Sequence, residues 1–286
     1  MTSIDAGTRR RGLPAGARRF LRTPSAAIAA LCIGLIVLIA LAAPLVFRDV
    51  DAVDAANRLL APSPQHPFGT DELGRDLTAK LAHAARLTLG ISLGAMVVSV
   101  LLGLLWGMIA AAFGGIVDDI LMRIADAVMA VPMILLALVF VAALGASPPI
   151  LVLILGLIKA PLAARVIRSA TLVELASDYV RGLTVVGLSR PRILFGEVLP
   201  NVFPIIAAQA TLNAASAMMV EASLSFVGLG VQPPEASWGT LLKLGYGYLH
   251  EAWWYPLGPA VAIVILIASF NAVGQQLQRS LDRRSA

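Results

Sequence analysis

Charge is the first thing this chain lacks. Only 14% of its 286 residues are charged, against roughly 25% in soluble domains. Hydrophobic residues make up 58% and the mean hydropathy is +0.84. A water-soluble globule of this length is excluded, and the class is integral membrane protein. Cysteine is nearly absent. With Cys32 alone, an intramolecular disulfide and a cysteine metal cluster are both excluded. Histidine is limited to His66, His83 and His250, too far apart for a metal-ligand spacing, so no metal site is expected. There is no GxxxxGK[ST] phosphate loop, no HExxH, and no home for a serine–histidine–aspartate set. The chain is therefore not an enzyme by itself, and no residue is expected to be catalytic. No chain of buried acids runs through the apolar segments, which weighs against a proton-coupled carrier. The net charge of +5 is small, and nothing points to nucleic acid.

What is present is a series of long apolar runs. A helix needs about 20 apolar residues to cross the hydrocarbon core. The first such run is 26–47, bounded by Arg22 and Arg48. The second span is expected at about 89–113. The run 127–158 is too long for one crossing, and GASPP at 145–149 is a strong turn signal. It divides into a third span ending near Leu144 and a fourth starting near Ile150. The fifth is expected at about 202–224 and the sixth at about 254–273. The expected fold is an all-α membrane protein with six transmembrane helices. Its organisation is a basic head (1–25), the first span (26–47), an outer loop with a helix (48–87), a core (88–276) and a tail (277–286). The core includes charged loop 165–201 and outer loop 225–253.

Basic residues set the orientation. The head has Arg9, Arg10, Arg11, Arg18, Arg19 and Arg22, and the tail has Arg279, Arg283 and Arg284. Arg165, Arg168, Arg181, Arg190 and Arg192 surround the loop between spans four and five. Both termini and that loop are expected in the cytoplasm. The first run exceeds the 7–15 residues typical of a cleaved signal, so an uncleaved signal anchor is expected.

In the outer loop, Thr70 is the expected N-cap of an amphipathic helix with Leu73, Leu77 and Leu81 on one face. Asp71, Glu72 and Asp76 are expected to be solvated charges and caps. The second outer loop, with Pro233-Pro234, Trp238, Trp253 and Trp254, reads as a gate or docking surface and as an interfacial aromatic belt, two uses that are compatible. Asp126 is expected to make a salt bridge or cap a helix. Glu221, with Ser225 one turn on, is a candidate for the outer gate or pathway.

The stretch SDYVRGLTVVGLSRPRILFGEVLPN, 177–201, interrupts the apolar pattern. Ser177 or Asp178 caps a short helix that Gly187 closes. Ser189 caps a second helix, with Pro191 tolerated in its first turn, ending at Leu199-Pro200. Val180, Leu183 and Gly187 share one face. The spacing leaves two uses open: an amphipathic loop resting on anionic lipid, or an apolar knob on which another protein docks.

This stretch resembles the cytoplasmic EAA loop of bacterial ABC importer permeases, with a glycine at Gly187 and a leucine–proline pair at Leu199 and Pro200. The two alanines of that pattern fall at Gly182 and Leu183, and a basic position falls at Thr184. HPFGTDELGRDL, RIADAVMAVPMILLAL, EASLSFVGLGVQPPEASWGTLL and the closing PLGPAVAIVILIASFNAVGQQLQRSLDRR are similar to the C-type permease of dipeptide and oligopeptide importers. The resemblance implies a type I ABC importer permease fold in the bacterial cytoplasmic (inner) membrane. It implies a B-type permease as heterodimer partner, two ABC ATPase subunits and an extracytoplasmic peptide-binding protein. ATP and Mg would be held by the ATPases, with no cofactor on this chain. The cargo would be di- or oligopeptides, moved by alternating access. Nickel, glutathione and opine importers share the subunit type. Asp178, Tyr179, Val180, Arg181, Gly182, Leu183, Thr184, Gly187, Leu199 and Pro200 would form the ATPase-docking loop.

Overall fold

Apolar runs without internal glycine or proline clusters become single long helices, and the few breaks have local causes. The computed structural model describes residues 23–47 and 49–282. Among them, α1 is Pro24–Val46, α2 Leu77–Phe113, α3 Gly115–Ala130, α4 Met133–Leu144 and α5 Pro148–Leu175. After these come α6, Asp178–Val185, α7, Arg190–Ile193, a π-helical turn at Leu194–Val198, and α8, Leu199–Val227. The last two are α9, Trp238–Gly247, and α10, Trp254–Asp282. Five helical stretches are long and apolar enough to cross a membrane, and six if α3 and α4 form one broken span. Residues 1–22 of the basic head, with all its arginines, and Arg48, Arg283 and Arg284 lie outside the described residues.

The span expected at 127–144 differs most. Helices α3 and α4 meet at 88°, across Val131 and Pro132. A proline disfavours the helical conformation of the residue before it, and Val131 is extended. The second span is longer than expected. It absorbs the helix expected in the outer loop, and the N-cap of the merged helix is Asp76, not Thr70: the Asp76 carboxylate accepts from the Thr78 amide at 2.7 Å. Thr70 instead bridges Asp76 and accepts from the Leu60 amide at 2.8 Å. Leu73 is exposed in a turn, so the expected apolar face survives only at Leu77 and Leu81. The fourth span runs on to Leu175, which places Arg165 and Arg168 on α5 rather than in a loop.

Helix α1 lies at the edge, packed on α2 and α10. Only alanines (Ala26, Ala29, Ala40, Ala43) are buried on it, while Leu31, Leu38 and Leu45 face outward. Small residues at the contact and large ones toward lipid are the usual arrangement in membranes. The closest packing joins α2 to α5. A Cβ at Gly103 would lie 2.5 Å from Ala163 Cβ and 2.9 Å from the Ala164 nitrogen. One at Gly156 would lie 2.5 Å from Val98 Cβ. Gly103→Leu is expected to separate the two helices, and overpacking of this kind costs about 1–3 kcal/mol or more. The check is a thermal unfolding curve of the detergent-solubilised protein, which should shift down, with Gly34→Leu on the open face of α1 as the unaffected control.

Candidate functional site

Two ends of the bundle and one level between them carry the polar chemistry. At the α6 end, Ser177 occupies the N-cap position of α6 and donates its hydroxyl to the Glu174 carbonyl at 2.6 Å. The helix stops in a Schellman motif. The Gly187 amide donates to the Thr184 carbonyl and the Leu188 amide to the Leu183 carbonyl, both at 3.1 Å. Gly187 has φ +88°, a conformation that other L-residues adopt only at a cost. The chain then reverses into α7.

The face shared by Val180 and Leu183 points inward, not outward as a knob. Val180 is 4% exposed and Leu183 packs beside it, against Met108, Ile167, Ile193, Val198, Val202 and Ile206. Burying these side chains seats α6 on α2, α5 and α8. The apolar groups left outside are Val185 (87% exposed) and Val186 (78%) at the tip, Tyr179 in the first turn of α6, and Phe195 in the π-turn. Arg181, 3.6 Å from Asp178, and Arg190 and Arg192 in the following helix are exposed as well. Gly182 and Thr184 are also exposed, Leu199 is half-buried in the cluster, and Pro200 lies in the first turn of α8.

Leu199-Pro200 is not a break. Helix α7, the π-turn and α8 run on without interruption from Arg190 to Val227. A π-turn widens the helix by one residue and is common where a helix must yield or reorient. A polar clamp fixes the base of α6. The Tyr179 hydroxyl donates to Glu174 Oε1 at 2.6 Å, and Asn201 Nδ2 donates to the same oxygen at 2.9 Å. Partial burial, and then the carboxylate beside it, raise the Tyr179 phenol above its ordinary pKa. Glu174 and Asn201 were not singled out by sequence. Their only signal is that both flank the loop and both are polar. On the same end, Arg168 pairs with Asp118 and Arg165 with Asp126, tying α5 to α3.

At the opposite end, Glu221 and Ser225 meet as their spacing predicts. Ser225 donates to Glu221 Oε1 at 2.8 Å, and Glu221 is fully buried. Glu221 Oε2 has no hydrogen-bond partner among the described residues. Ser237, the N-cap of α9, lies 3.3 Å from Ser225. Helix α9 is held down by Trp238, whose amide donates to Thr88 Oγ1 at 3.0 Å and whose indole donates to the Leu81 carbonyl at 2.9 Å.

Asp71 is the correction at this end. It is not solvated but fully buried. Its Oδ1 accepts from the amides of Leu73 (2.8 Å) and Arg75 (2.9 Å), and its Oδ2 faces Arg75 Nε (2.7 Å) and Lys80 Nζ (3.0 Å). Burial alone would raise its pKa. The Arg75 amide and the Lys80 charge outweigh that and hold it below 3.8. Beside it the Tyr255 hydroxyl donates to Glu72 at 2.9 Å.

Between the ends lies Lys159, which the sequence reading passed over. Counting 20 residues from Ile150 places it inside the fourth span, so a charge within an apolar run was the available signal. It is 4% exposed and donates to the Ser216 hydroxyl.

The comparisons with known proteins fit this architecture. Residues 103–286 match the family model described as binding-protein-dependent transport system inner membrane component. The chain belongs to that family. The permease is 39% identical to the di/tripeptide transport system permease DppC of Pseudomonas aeruginosa, over 75% of this chain and 71% of the relative. It is 35% identical to the oligopeptide transport system permease OppC of Bacillus subtilis, over 92% of this chain and 87% of the relative. In fold, the permease is similar to a chain of the MetNI methionine ABC transporter in inward-facing crystals. The TM-score is 0.58 at 18% identity, covering 71% of this chain and 96% of that one. The permease is thus a multi-pass membrane subunit of a transport system, with the type I ABC importer permease fold.

Proposed function

We propose that this permease is half of the membrane channel of an ATP-driven importer of di- and oligopeptides. The carrying observation is the α6 loop: a short helix whose buried face packs into the cluster formed by the long helices, with two exposed valines at its end and exposed arginines at 181, 190 and 192 in the same loop. That is the form of a docking element for another protein. Arginines at 165, 168, 181, 190, 192 and 279 gather at that end, which supports placing it in the cytoplasm of a bacterium, with both termini on the same side. The names of the curated relatives support peptide as cargo. In this reading a B-type permease completes the channel and two ATPases hold ATP and Mg. One ATPase receives Val185 and Val186, and an extracytoplasmic binding protein delivers peptide to the end formed by Glu221, Ser225 and α9.

ATP-driven closure of the ATPases would push on α6. The Glu174–Tyr179–Asn201 clamp and the buried Val180–Leu183 face pass that push to α5 and α8, giving alternating access. Energy enters by contact, not by chemistry in this chain. The test is uptake of a labelled dipeptide into proteoliposomes holding the four-subunit complex and its binding protein. Uptake should require ATP and both ATPases. Uptake by this chain without ATPases, driven by an ion gradient, would make it a secondary carrier and overturn the proposal.

A further inference from the structure

Lys159 stands 11 residues into α5 from Pro148, about 16 Å along the axis and so halfway through a hydrocarbon core about 30 Å thick. Its only contact of hydrogen-bond or ion-pair type is with Ser216 on α8, and no carboxylate pairs with it among the described residues. An ammonium at this depth with one neutral hydroxyl as partner is poorly compensated. The surroundings are polar but uncharged. Gln209, Asn213 and Ser216 lie at i, i+4 and i+7 on α8. Gln209 donates to Asn213 at 3.0 Å, Asn213 donates to Ser99 on α2 at 3.1 Å, and Ser216 donates to the Asn213 carbonyl at 3.4 Å. The seam supplies hydrogen bonds but no counter-charge.

Ser216 also belongs to a second stripe. With Met219 and Ser223 it forms a partly exposed face of α8, bounded at Phe226 by Tyr246 of α9, whose ring packs edge-on at 5.6 Å. The Lys159 tip therefore sits at the border between the buried seam and an open, partly polar face. Lipid tails on that face would leave the charge unrelieved. A passing anion would relieve it.

We propose that Lys159 is a specificity-determining residue that holds the carboxylate of the cargo midway across the membrane, with Ser216 fixing the direction of its side chain. This rests on the reading of the permease as a peptide importer. A peptide carboxylate offers two acceptor oxygens to a donor that lacks a charged partner, and its departure restores the Ser216 contact, so the site is transient by construction.

The experiment compares uptake of dialanine and of dialanine amide by the complete complex in proteoliposomes with the same binding protein throughout. In Lys159→Met, dialanine uptake is expected to fall about tenfold, the scale of one lost hydrogen bond to a charged group, while amide uptake stays near the wild-type level. Lys159→Arg should restore the preference for the free acid. Equal loss for both substrates would mean that Lys159 merely ties α5 to α8, and would overturn the proposal. So would unchanged dialanine uptake in Lys159→Met. Absence of peptide uptake by the wild-type complex would instead overturn the importer reading, and this proposal with it.

Discussion

Replacing Val185 and Val186 together by aspartate is expected to release the ATPase subunits from the membrane complex and abolish peptide uptake, while leaving the permease folded. Both valines are almost fully exposed at the end of α6, so the free chain loses no packing when they change. Burying two valines against a partner contributes about 3 kcal/mol, which corresponds to roughly 150-fold in affinity. Two desolvated carboxylates add a further penalty. Co-purification of the ATPases with the tagged permease measures the first effect and ATP-dependent uptake the second. Val180→Asp is the contrasting variant. It puts a charge among Met108, Ile167 and Ile206 and is expected to lower yield and thermal stability before any question of docking arises. Normal ATPase recovery with the Val185/Val186 double variant would remove the tip from the interface.

Asp71→Asn is expected to loosen the whole segment before α2. The side chain keeps its shape but leaves Lys80 without the buried carboxylate it pairs with, while Arg75 keeps Glu72 at 3.6 Å and Asp51 at 3.8 Å. Removing one partner of a buried ion pair costs about 3–5 kcal/mol. The pH dependence has a definite sign. The folded pKa of Asp71 lies below 3.8, so its contribution is complete above the unfolded value and disappears as pH falls through the folded value. Wild-type protein should therefore lose thermal stability on acidification below about pH 4, near the unfolded aspartate pKa. Asp71→Asn should start lower and lose less over the same range. Thermal unfolding in detergent at stepped pH measures both. Protease cleavage between Asp54 and Asp71 should accelerate in the variant, because the Leu59 amide donates to the Asp71 carbonyl at 3.0 Å and the Leu60 amide to Thr70.

The spans were legible in the sequence because about 20 apolar residues have few alternatives to crossing a membrane as a helix. Glu221 and Ser225 were legible as a pair because i, i+4 spacing puts them on one helical face. The bend at Pro132 was not, since a proline in an apolar run is compatible with a kinked single span. The inward turn of Val180 and Leu183 was hidden for another reason. Periodicity tells which residues share a face, but Met108 and Ile206, which decide where that face points, are distant in sequence. Asp71, Glu72 and Asp76 are alike in composition. What singles out Asp71 is the turn that aims the Leu73 and Arg75 amides at its carboxylate.

The unbroken helical path from Arg190 to Val227 also works in reverse. Its length from Arg190 to Glu221 is about 46 Å, so a tilt of about 10° at one end displaces the other by about 8 Å. A rod transmits equally in both directions, and equilibrium linkage requires the same of binding: whatever factor ATPase closure imposes on peptide affinity, peptide imposes on ATPase closure. In the proposed importer, the loop that takes the push from the ATPases would thus also be the reporter by which they sense a loaded channel, with the π-turn at Leu194–Val198 lying on the path between them.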